Sequence, residues 1–249
     1  MEIISKISKK LPKPIEKFLC WIYHKLSFKI DKEIINDLTE YFNLNQEEVI
    51  WLLKSEDRLG ADFWHILNPR TKKEVEEFYK INPLYVFELA FWHMKRYQRR
   101  FRAEIIKFTK GRVLDFGGGI GDLCIELTRR GFDCDYADIY GRTFEFAKWL
   151  FKKKGCKIEM INLSRDKLFK KYDTIFCIDV IEHTIKPKQV LKNLTAHLRN
   201  NGRLIITNLN APVLERHPMH FQMKFDAEEY LNSLGLYRAK KPWLWIKHA

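Results

Sequence analysis

Short apolar segments alternate with amphipathic segments through the second half of the chain. From residue 112 onward the apolar segments are continuous and bounded by turn residues, which is typical of buried strands. Strands are expected at 112–116, 134–137, 158–161, 174–178 and 204–207. Helices are expected between them at 122–130, 143–154 and 187–198, followed closely by Gly131, Gly155 and Gly202. This strict alternation predicts a parallel sheet with right-handed crossovers.

The end of the chain departs from this alternation. A helix is expected at 226–234, and two strand-like segments follow at 236–239 and 244–247. Because the link between them is too short for a crossover helix, these two strands should pair antiparallel. The predicted fold class is therefore α/β: a Rossmann-like, doubly wound, mostly parallel seven-stranded sheet with an antiparallel C-terminal hairpin and an N-terminal helical extension.

The first 110 residues are predicted to be mainly helical. Capping-box spacings at 45–48 and 71–74 each precede an apolar periodic segment. Pro83 indicates the first turn of one long helix that runs towards Lys110. Aromatic and basic residues alternate along it, which would suit a nucleic-acid-binding face, but an aromatic side on the core and an arginine side in solvent explain the pattern better.

The first 30 residues are basic and amphipathic. Seven lysines are interspersed with large apolar residues, and apolar positions recur at helical spacing over 15–30. The segment either lies on an anionic membrane surface or packs as a helix on the protein's own core. A signal peptide is disfavoured because prolines interrupt the apolar residues. Three parts are thus expected: the basic segment 1–30, a helical extension or lid 31–110, and a catalytic domain 111–249.

Charge and cysteine usage bear on partners and location. The 45 Lys and Arg residues exceed the 32 Asp and Glu residues and give a net charge of +13. This charge would attract nucleic acid, phospholipid headgroups or acidic metabolites, although a lysine-rich solvated surface explains it equally well. The five cysteines are odd in number and lack CxxC spacing, so a reducing cytoplasm is expected.

The glycine-rich segment LDFGGGIGD after the first strand is the strongest chemical signal. Glycines at 117, 119 and 121 let the backbone turn tightly and approach a ligand closely. A dinucleotide site needs glycine at the sixth loop position, but Asp122 stands there and would repel a pyrophosphate. Asp115 suits a cationic group instead, and Asp138 ends the second strand at the offset that suits ribose hydroxyls.

These motifs together resemble the class I S-adenosylmethionine-dependent methyltransferases. The resemblance covers residues 111–249 and rests on LDFGGGIGD, on Asp138 and on the segment from Tyr172 to His183. It implies an enzyme with S-adenosyl-L-methionine as cofactor. The cofactor-binding residues that it implies are Asp115, Gly117, Gly118, Gly119, Gly121, Asp138, Ile139, Asn162, Leu163 and Asp179. At Asn162 many relatives have aspartate, so this chain departs from the usual adenine contact.

The segment Asp179-Val-Ile-Glu-His lies after the fourth strand, at the sheet edge where open α/β folds bind ligands. It is similar to the D/E-x-x-E-H motif of ubiquinone-pathway O-methyltransferases and small-RNA 2′-O-methyltransferases, which can hold a divalent cation. The candidate ligands of Mg²⁺ or Mn²⁺ are Asp179, Glu182, His183 and a histidine from 217–220, chiefly His220. Glu182, His183 and His220 are also the candidate catalytic residues, with either histidine as general base in a metal-free reaction.

The resemblance implies methylation of a small-molecule or lipid-like acceptor, on oxygen. The alternatives are an RNA 2′-O-methyltransferase and a non-catalytic cofactor-binding module. The acceptor pocket is expected between 179–183, the loop 208–225 and the N-terminal helices. If the basic N-terminus is not packed on the protein's own core, its expected partner is an anionic membrane surface, and nucleic acid ranks behind it as a partner.

Overall fold

The computed structural model describes residues 30–209 and 218–249. The predictions for the basic segment 1–30 concern residues that lie outside these ranges, apart from Ile30. His217 also lies outside them. Among the described helices, none has the length and apolar character needed to span a bilayer.

Within residues 30–110 the chain forms five helices and a short 3₁₀ turn. They are α1 (Lys32–Phe42), α2 (Gln46–Leu67), α3 (Lys72–Ile81), α4 (Leu84–Met94), α5 (Arg96–Ile105) and the turn Ile106–Phe108. Both expected capping boxes are confirmed, because Asn45 and Thr71 each cap a helix whose N3 glutamate reaches back to the cap. The helical character of this region was therefore readable from local sequence.

The prediction of one long helix from Pro83 to Lys110 is wrong. Lys95 has an extended backbone (φ −64°, ψ 131°) and separates α4 from α5. Its side chain is buried, and its Nζ lies 4.7 Å from the ring centre of Phe91 and 4.4 Å from that of Trp92. The break lets the apolar helix α4 pack against α2 while the arginine-rich α5 takes a different direction.

The second half forms a seven-stranded sheet with the order β3-β2-β1-β4-β5-β7-β6. The strands are β1 (Val113–Phe116), β2 (Cys134–Asp138), β3 (Met160–Asn162), β4 (Tyr172–Cys177), β5 (Leu198–Ile206), β6 (Leu236–Arg238) and β7 (Leu244–Lys247). Strands β1 to β5 are parallel, and β7 pairs antiparallel with β5 and β6. The predicted fold class is confirmed.

Four further helices cover the sheet: α6 (Asp122–Arg129), α7 (Arg142–Lys153), α8 (Pro187–His197) and α9 (Ala227–Ser233), with a 3₁₀ turn at Ile181–His183. Strand β5 begins at Leu198, six residues before the expected start at 204. Residues 199–201 are exposed and polar, so the apolar pattern did not mark them. Leu198 pairs with Tyr172 across an irregularity in the register.

The helical extension shares a hydrophobic core with one face of the sheet. The buried side chains of α1, α2 and α4 pack in the same cluster as those of α6 and α7. The ring of Phe42 lies 4.7 Å from Phe87 and 6.3 Å from Phe146, and so joins the two halves. Helices α8 and α9 cover the opposite face. The extension is thereby held next to the carboxyl ends of the strands.

Candidate active site

A cavity of about 730 Å³ lies at the carboxyl ends of β1, β2 and β4. The strand order reverses between β1 and β4, and open α/β sheets bind their ligands at such a switch point. The glycine-rich loop after β1, the turn after β4 and the helices α3 to α5 all contribute to the wall. A volume of this size is sufficient for a nucleoside cofactor together with part of a small acceptor.

The glycine-rich loop follows β1 and lies along this wall, to which Gly117, Gly118 and Gly119 contribute. Gly119 has a φ of 52°, and a Cβ on it would lie 2.9 Å from Cδ1 of Leu89. Gly117 has a φ of 73°, and its Cβ would lie 2.3 Å from Val180. Both the backbone conformation and the close packing therefore require glycine. Gly121 ends the loop as the N-cap residue of helix α6.

Asp138 at the end of β2 holds this loop in place. Its carboxylate accepts hydrogen bonds from the backbone amides of Gly119 and Ile139, both at 2.7 Å. The hydroxyl of Tyr136 donates to the carbonyl oxygen of Gly119 at 2.7 Å. Burial raises the pKa of Asp138 to about 6, against the effect of these bonds. Asp138 and Ile139 also line the cavity, so a ligand there would contact a loop that is already ordered.

Asp115 at the end of β1 is a buried acid on the cavity wall. Asp115 is 4% exposed, and the thiol of Cys124 donates a hydrogen bond to its carboxylate at 3.5 Å. Burial raises the pKa of Asp115 to about 7, although the thiol bond opposes the shift. A buried carboxylate of this kind is stabilised by a cationic ligand. This part of the cavity therefore suits an ammonium group.

The two candidate residues after β3 lie differently with respect to the cavity. Leu163 lines it, and its backbone amide donates to the carbonyl oxygen of Asp138 at 2.8 Å. Asn162 is not among the lining residues. Its side chain accepts a hydrogen bond from the amide of Ser164 at 3.0 Å and so shapes the turn. In the structure, Asn162 therefore stabilises the turn after β3 and does not line the cavity.

Asp179, after β4, is engaged by three side chains. It has a φ of 55°. Trp92 Nε1 donates to one carboxylate oxygen at 2.9 Å, and the side chains of Thr207 and Asn208 donate to the other at 2.8 and 2.9 Å. Trp92 belongs to the helical extension, so this carboxylate ties α4 to the turn after β4. Among the described residues Asp179 is not part of the cluster that has metal-ligand spacing.

That cluster consists of Glu182, His183 and His220, whose ligand atoms lie within 4.8 Å of one another. The two imidazole rings are 4.8 Å apart and inclined at 75°. The backbone amide of Phe221 donates to the carbonyl oxygen of Glu182 at 2.7 Å, which fixes the segment that carries His220. Three of the four proposed ligands are therefore brought together, and His183 also lines the cavity.

Glu182 is 1% exposed, and one of its carboxylate oxygens accepts a hydrogen bond from the side-chain amide of Asn208. Its other oxygen is buried without a hydrogen-bond partner. Burial and the neighbouring Asp179 raise the pKa of Glu182 to about 8. A carboxylate and two imidazoles form the mixed oxygen and nitrogen set that suits Mn²⁺ and tolerates Mg²⁺, so the residues present fit a divalent ion.

The sequence predicted that the N-terminal helices border the acceptor pocket, but it did not predict which side chains of α3 and α4 line the wall. Tyr79, Tyr85, Leu89 and Trp92 line the cavity. Tyr97 and Arg100 of α5 are not lining residues, and the ring of Tyr97 packs on Trp92. The aromatic content of this region was visible in the sequence. Which aromatic side chains face the cavity depends on the break at Lys95.

Asp122 lies on the cavity wall at the start of helix α6 and forms an ion pair with Arg102. Arg102 contacts its carboxylate, and Nδ1 of His93 lies 3.0 Å from it. Although burial opposes ionisation, Arg102 and His93 hold the pKa of Asp122 well below its usual range. The negative charge of Asp122, which argues against a pyrophosphate ligand, is therefore retained in the folded site.

The strand order, the glycine loop after β1 and the acid at the end of β2 together define a class I S-adenosylmethionine-dependent methyltransferase. A family model described as a methyltransferase domain, Methyltransf_23, matches residues 91–240, and the chain belongs to this family. The match begins within α4, so it includes part of the helical extension.

Curated relatives are ubiquinone biosynthesis O-methyltransferases. The protein from Rickettsia akari is 31% identical over 140 residues, which cover 53% of this chain and 51% of the relative. The protein from Rickettsia prowazekii is 30% identical over 153 residues, with 56% and 60% coverage. The matched region thus spans about half the length of these relatives.

Solved structures with a similar fold include StiE O-MT residues 961–1257, with 20% identity and a TM-score of 0.48 over 61% of this chain and 56% of that one. The YcgJ protein from Bacillus subtilis has 18% identity and a TM-score of 0.48 over 56% and 69%.

The cavity residues fit S-adenosylmethionine. The buried carboxylate of Asp115 suits the amino group of the methionyl part, and the glycine loop leaves room for a ligand beside the backbone. The carboxylate of Asp138 faces the cavity and retains lone pairs for hydroxyl donors. The same wall continues to His183 and the aromatic side chains, where an acceptor would lie next to the cofactor.

Proposed function

We propose that this chain transfers a methyl group from S-adenosylmethionine to a hydroxyl oxygen of a small aromatic acceptor that carries neighbouring oxygen atoms. A divalent ion, Mg²⁺ or Mn²⁺, is held by Glu182, His183 and His220. The observation that carries the proposal is the buried carboxylate oxygen of Glu182 that has no hydrogen-bond partner and belongs to a cluster with two imidazoles. One of these imidazoles, that of His183, lines the cavity.

A buried carboxylate oxygen without a partner is costly, and a bound cation would remove that cost. A divalent ion lowers the pKa of a coordinated hydroxyl and orients it. Asp179 would act beside the ion without ligating it, because Trp92, Thr207 and Asn208 already engage its carboxylate. The function of Asp179 would be to hold helix α4 against the turn that carries Glu182.

The methyl group of S-adenosylmethionine is already activated as a sulfonium, so the chain needs no nucleophile of its own. Asp115 would hold the cationic amino group and Asp138 the ribose hydroxyls, while Gly119 allows the backbone to approach. Helices α3 and α4 cover the cavity and would exclude water from the reacting groups. Positioning is then the main contribution of the protein.

The wall beside His183 supports an aromatic acceptor. Tyr79, Tyr85 and Trp92 contribute rings to it, and rings of an acceptor can pack on such side chains. The names of the curated relatives, which are O-methyltransferases, support oxygen as the acceptor atom. Two adjacent hydroxyls can bind one divalent ion together, which favours a catechol-like compound over a simple phenol. A lipid-like substituent on the ring would belong to the same class.

The test is an assay with labelled S-adenosylmethionine and two matched acceptors, 3,4-dihydroxybenzoate and 4-hydroxybenzoate. Methylation is expected for the dihydroxy compound with Mg²⁺ or Mn²⁺, and its loss in excess chelator should be reversed by the ion. Full activity in chelator would contradict the metal and leave His183 or His220 as the base. Methylation of an RNA oligonucleotide but of neither acceptor would overturn the proposed substrate class.

The affinity for S-adenosylmethionine should fall in acid through Asp115. Its pKa is about 7 in the cofactor-free fold, raised by burial from an ordinary 3.8, so it takes up a proton as the pH falls through 7. A cationic ligand prefers the carboxylate, and binding must then release that proton. We expect binding about eightfold weaker at about pH 6 than at about pH 7.5, measured by calorimetry.

The Asp115→Asn variant is the control for this pH dependence. It should bind the cofactor more weakly than the wild type, and its affinity should vary much less over the same range. For stability the sign is opposite, because a carboxyl whose pKa is raised on folding destabilises the cofactor-free protein as the pH rises from about 4 to 7. An unchanged pH dependence in Asp115→Asn would exclude this residue as the group that titrates.

A further inference from the structure

We infer that Tyr79 is a positioning residue that orients the ring of His183, with the hydrogen on Nδ1 and the lone pair on Nε2. A residue of the helical extension would then influence which ring nitrogen of His183, on the turn after β4, carries the hydrogen. The consequence for a metal ion rests on the proposed function, whereas the orientation of the imidazole does not.

Two oxygen atoms lie at the Nδ1 of His183. The hydroxyl of Tyr79 is 3.1 Å from this nitrogen, and the backbone carbonyl oxygen of Met219 is 3.3 Å from it. A carbonyl can only accept, so the contact with Met219 is a hydrogen bond only when Nδ1 carries a hydrogen. The oxygen of Tyr79 then accepts a share of the same hydrogen. In neutral imidazole this leaves Nε2 as the basic nitrogen.

Tyr79 is itself held firmly. It is buried, and its ring makes edge contacts with Phe78 at 5.2 Å and Tyr85 at 4.9 Å. Burial raises the pKa of Tyr79 well above 10, so the group remains a neutral phenol in the working range of the protein. A neutral hydroxyl accepts from Nδ1 without placing a negative charge beside Glu182.

The backbone of Tyr79 is also fixed against the catalytic domain. A Cβ at Gly141, in the loop after β2, would lie 2.6 Å from the Cα of Lys80 and 3.0 Å from the carbonyl oxygen of Tyr79. The end of α3 therefore packs directly on the loop beside Asp138. With its backbone packed and its ring enclosed, Tyr79 is pre-organised to orient His183.

The consequence is a defined direction for the lone pair of His183. Histidine ligands of metals generally donate their second ring hydrogen to a carbonyl or a similar group, which fixes the tautomer. Here Met219 and Tyr79 would supply that function from two separate segments. With the hydrogen on Nδ1, Nε2 would be the nitrogen that ligates an ion shared with Glu182 and His220.

The direct test is nitrogen NMR of the full chain with ¹⁵N-labelled histidine, at about pH 8.5 so that ordinary imidazoles are neutral. The His183→Gln variant assigns the signals of His183 by their loss. In the wild type we expect the hydrogen on Nδ1. The opposite tautomer in the wild type would overturn the inference without any need for a Tyr79 variant.

The second arm compares Tyr79→Phe with Tyr41→Phe. Tyr41 lies in α1 and packs on Phe146, so its variant removes a hydroxyl from the same helical layer at another place. In Tyr79→Phe, Nδ1 of His183 keeps only its 3.3 Å contact with Met219, so its ring-nitrogen shifts should move part of the way towards the other tautomer. Mn²⁺ should then bind about tenfold more weakly. Tyr41→Phe should change neither. Unchanged His183 shifts in Tyr79→Phe would overturn the inference.

The two readouts separate this inference from the proposed function. If the wild-type protein binds no Mn²⁺, the metal part of the proposed function fails, and the NMR shifts of the wild type and of Tyr79→Phe still decide the role of Tyr79. Circular dichroism of each variant shows whether the fold is retained.

Discussion

Gly119→Val should abolish the binding of S-adenosylmethionine, whereas Gly131→Val should leave it intact. Both glycines have a positive φ, 52° and 86°, so both variants carry the backbone strain of a β-branched residue in the left-handed region. Only Gly119 faces the cavity. A Cβ there would lie 2.9 Å from Leu89, while a Cβ on Gly131 would meet no atom within 4 Å.

The difference between the two variants therefore separates the effect of a side chain at the cavity, on ligand space and on Leu89, from the effect of backbone strain. We expect the affinity of Gly119→Val to fall by more than about a hundredfold, which corresponds to roughly 2.7 kcal/mol. Calorimetry on both proteins gives the comparison. Equal affinities would mean that the loop after β1 does not bind the cofactor.

Glu182→Gln should reduce kcat by about a hundredfold or more while the affinity for S-adenosylmethionine stays unchanged. The substitution keeps the volume and removes the charge that would hold a metal ion. Glu126→Gln is the matched control, because Glu126 is a surface residue of α6 that pairs with Arg130. A Glu182→Gln enzyme with wild-type kcat in the presence of Mg²⁺ would refute the role of this carboxylate.

The same variant should be more stable than the wild type in alkaline solution without metal. Burial and Asp179 raise the pKa of Glu182 to about 8 from an ordinary 4.5. A carboxyl with a raised pKa binds its proton more tightly in the native state, so the wild type loses stability as the pH rises through this range. The difference in Tm between variant and wild type should grow from about pH 5 to about pH 8.5, as measured by thermal melts in chelator.

The fold class was readable from the sequence because its signals are local. Parallel strands that are buried on both faces are continuous apolar segments, and Gly131 and Gly155 mark the ends of α6 and α7. The break at Lys95 was not readable. Proline and glycine are absent there, and the extended backbone depends on the contacts of the lysine with Phe91 and Trp92 and on the burial of α4.

The glycine loop and Asp138 could be placed by counting along the chain, because the loop directly follows β1 and Asp138 is the last residue of β2. The hydrogen-bond partners of Asp179 and Glu182 could not be predicted in this way. The two side chains are three residues apart, yet Trp92, Thr207 and Asn208 take up the carboxylate of Asp179, whereas one oxygen of Glu182 is left without a hydrogen-bond partner. The D-x-x-E-H pattern treats the two acids alike, and their different roles follow from neighbours on other elements.

The sequence by itself determined the parallel sheet, the cofactor loop and the segment that would bear the chemistry, since each depends on residues close together in the chain. Tertiary structure alone decided which side chains complete the site. Tyr79 lies 104 residues from His183, and Trp92 lies 87 residues from Asp179. No periodicity or spacing encodes such pairs, because they form only when the helical extension packs on the carboxyl ends of the strands.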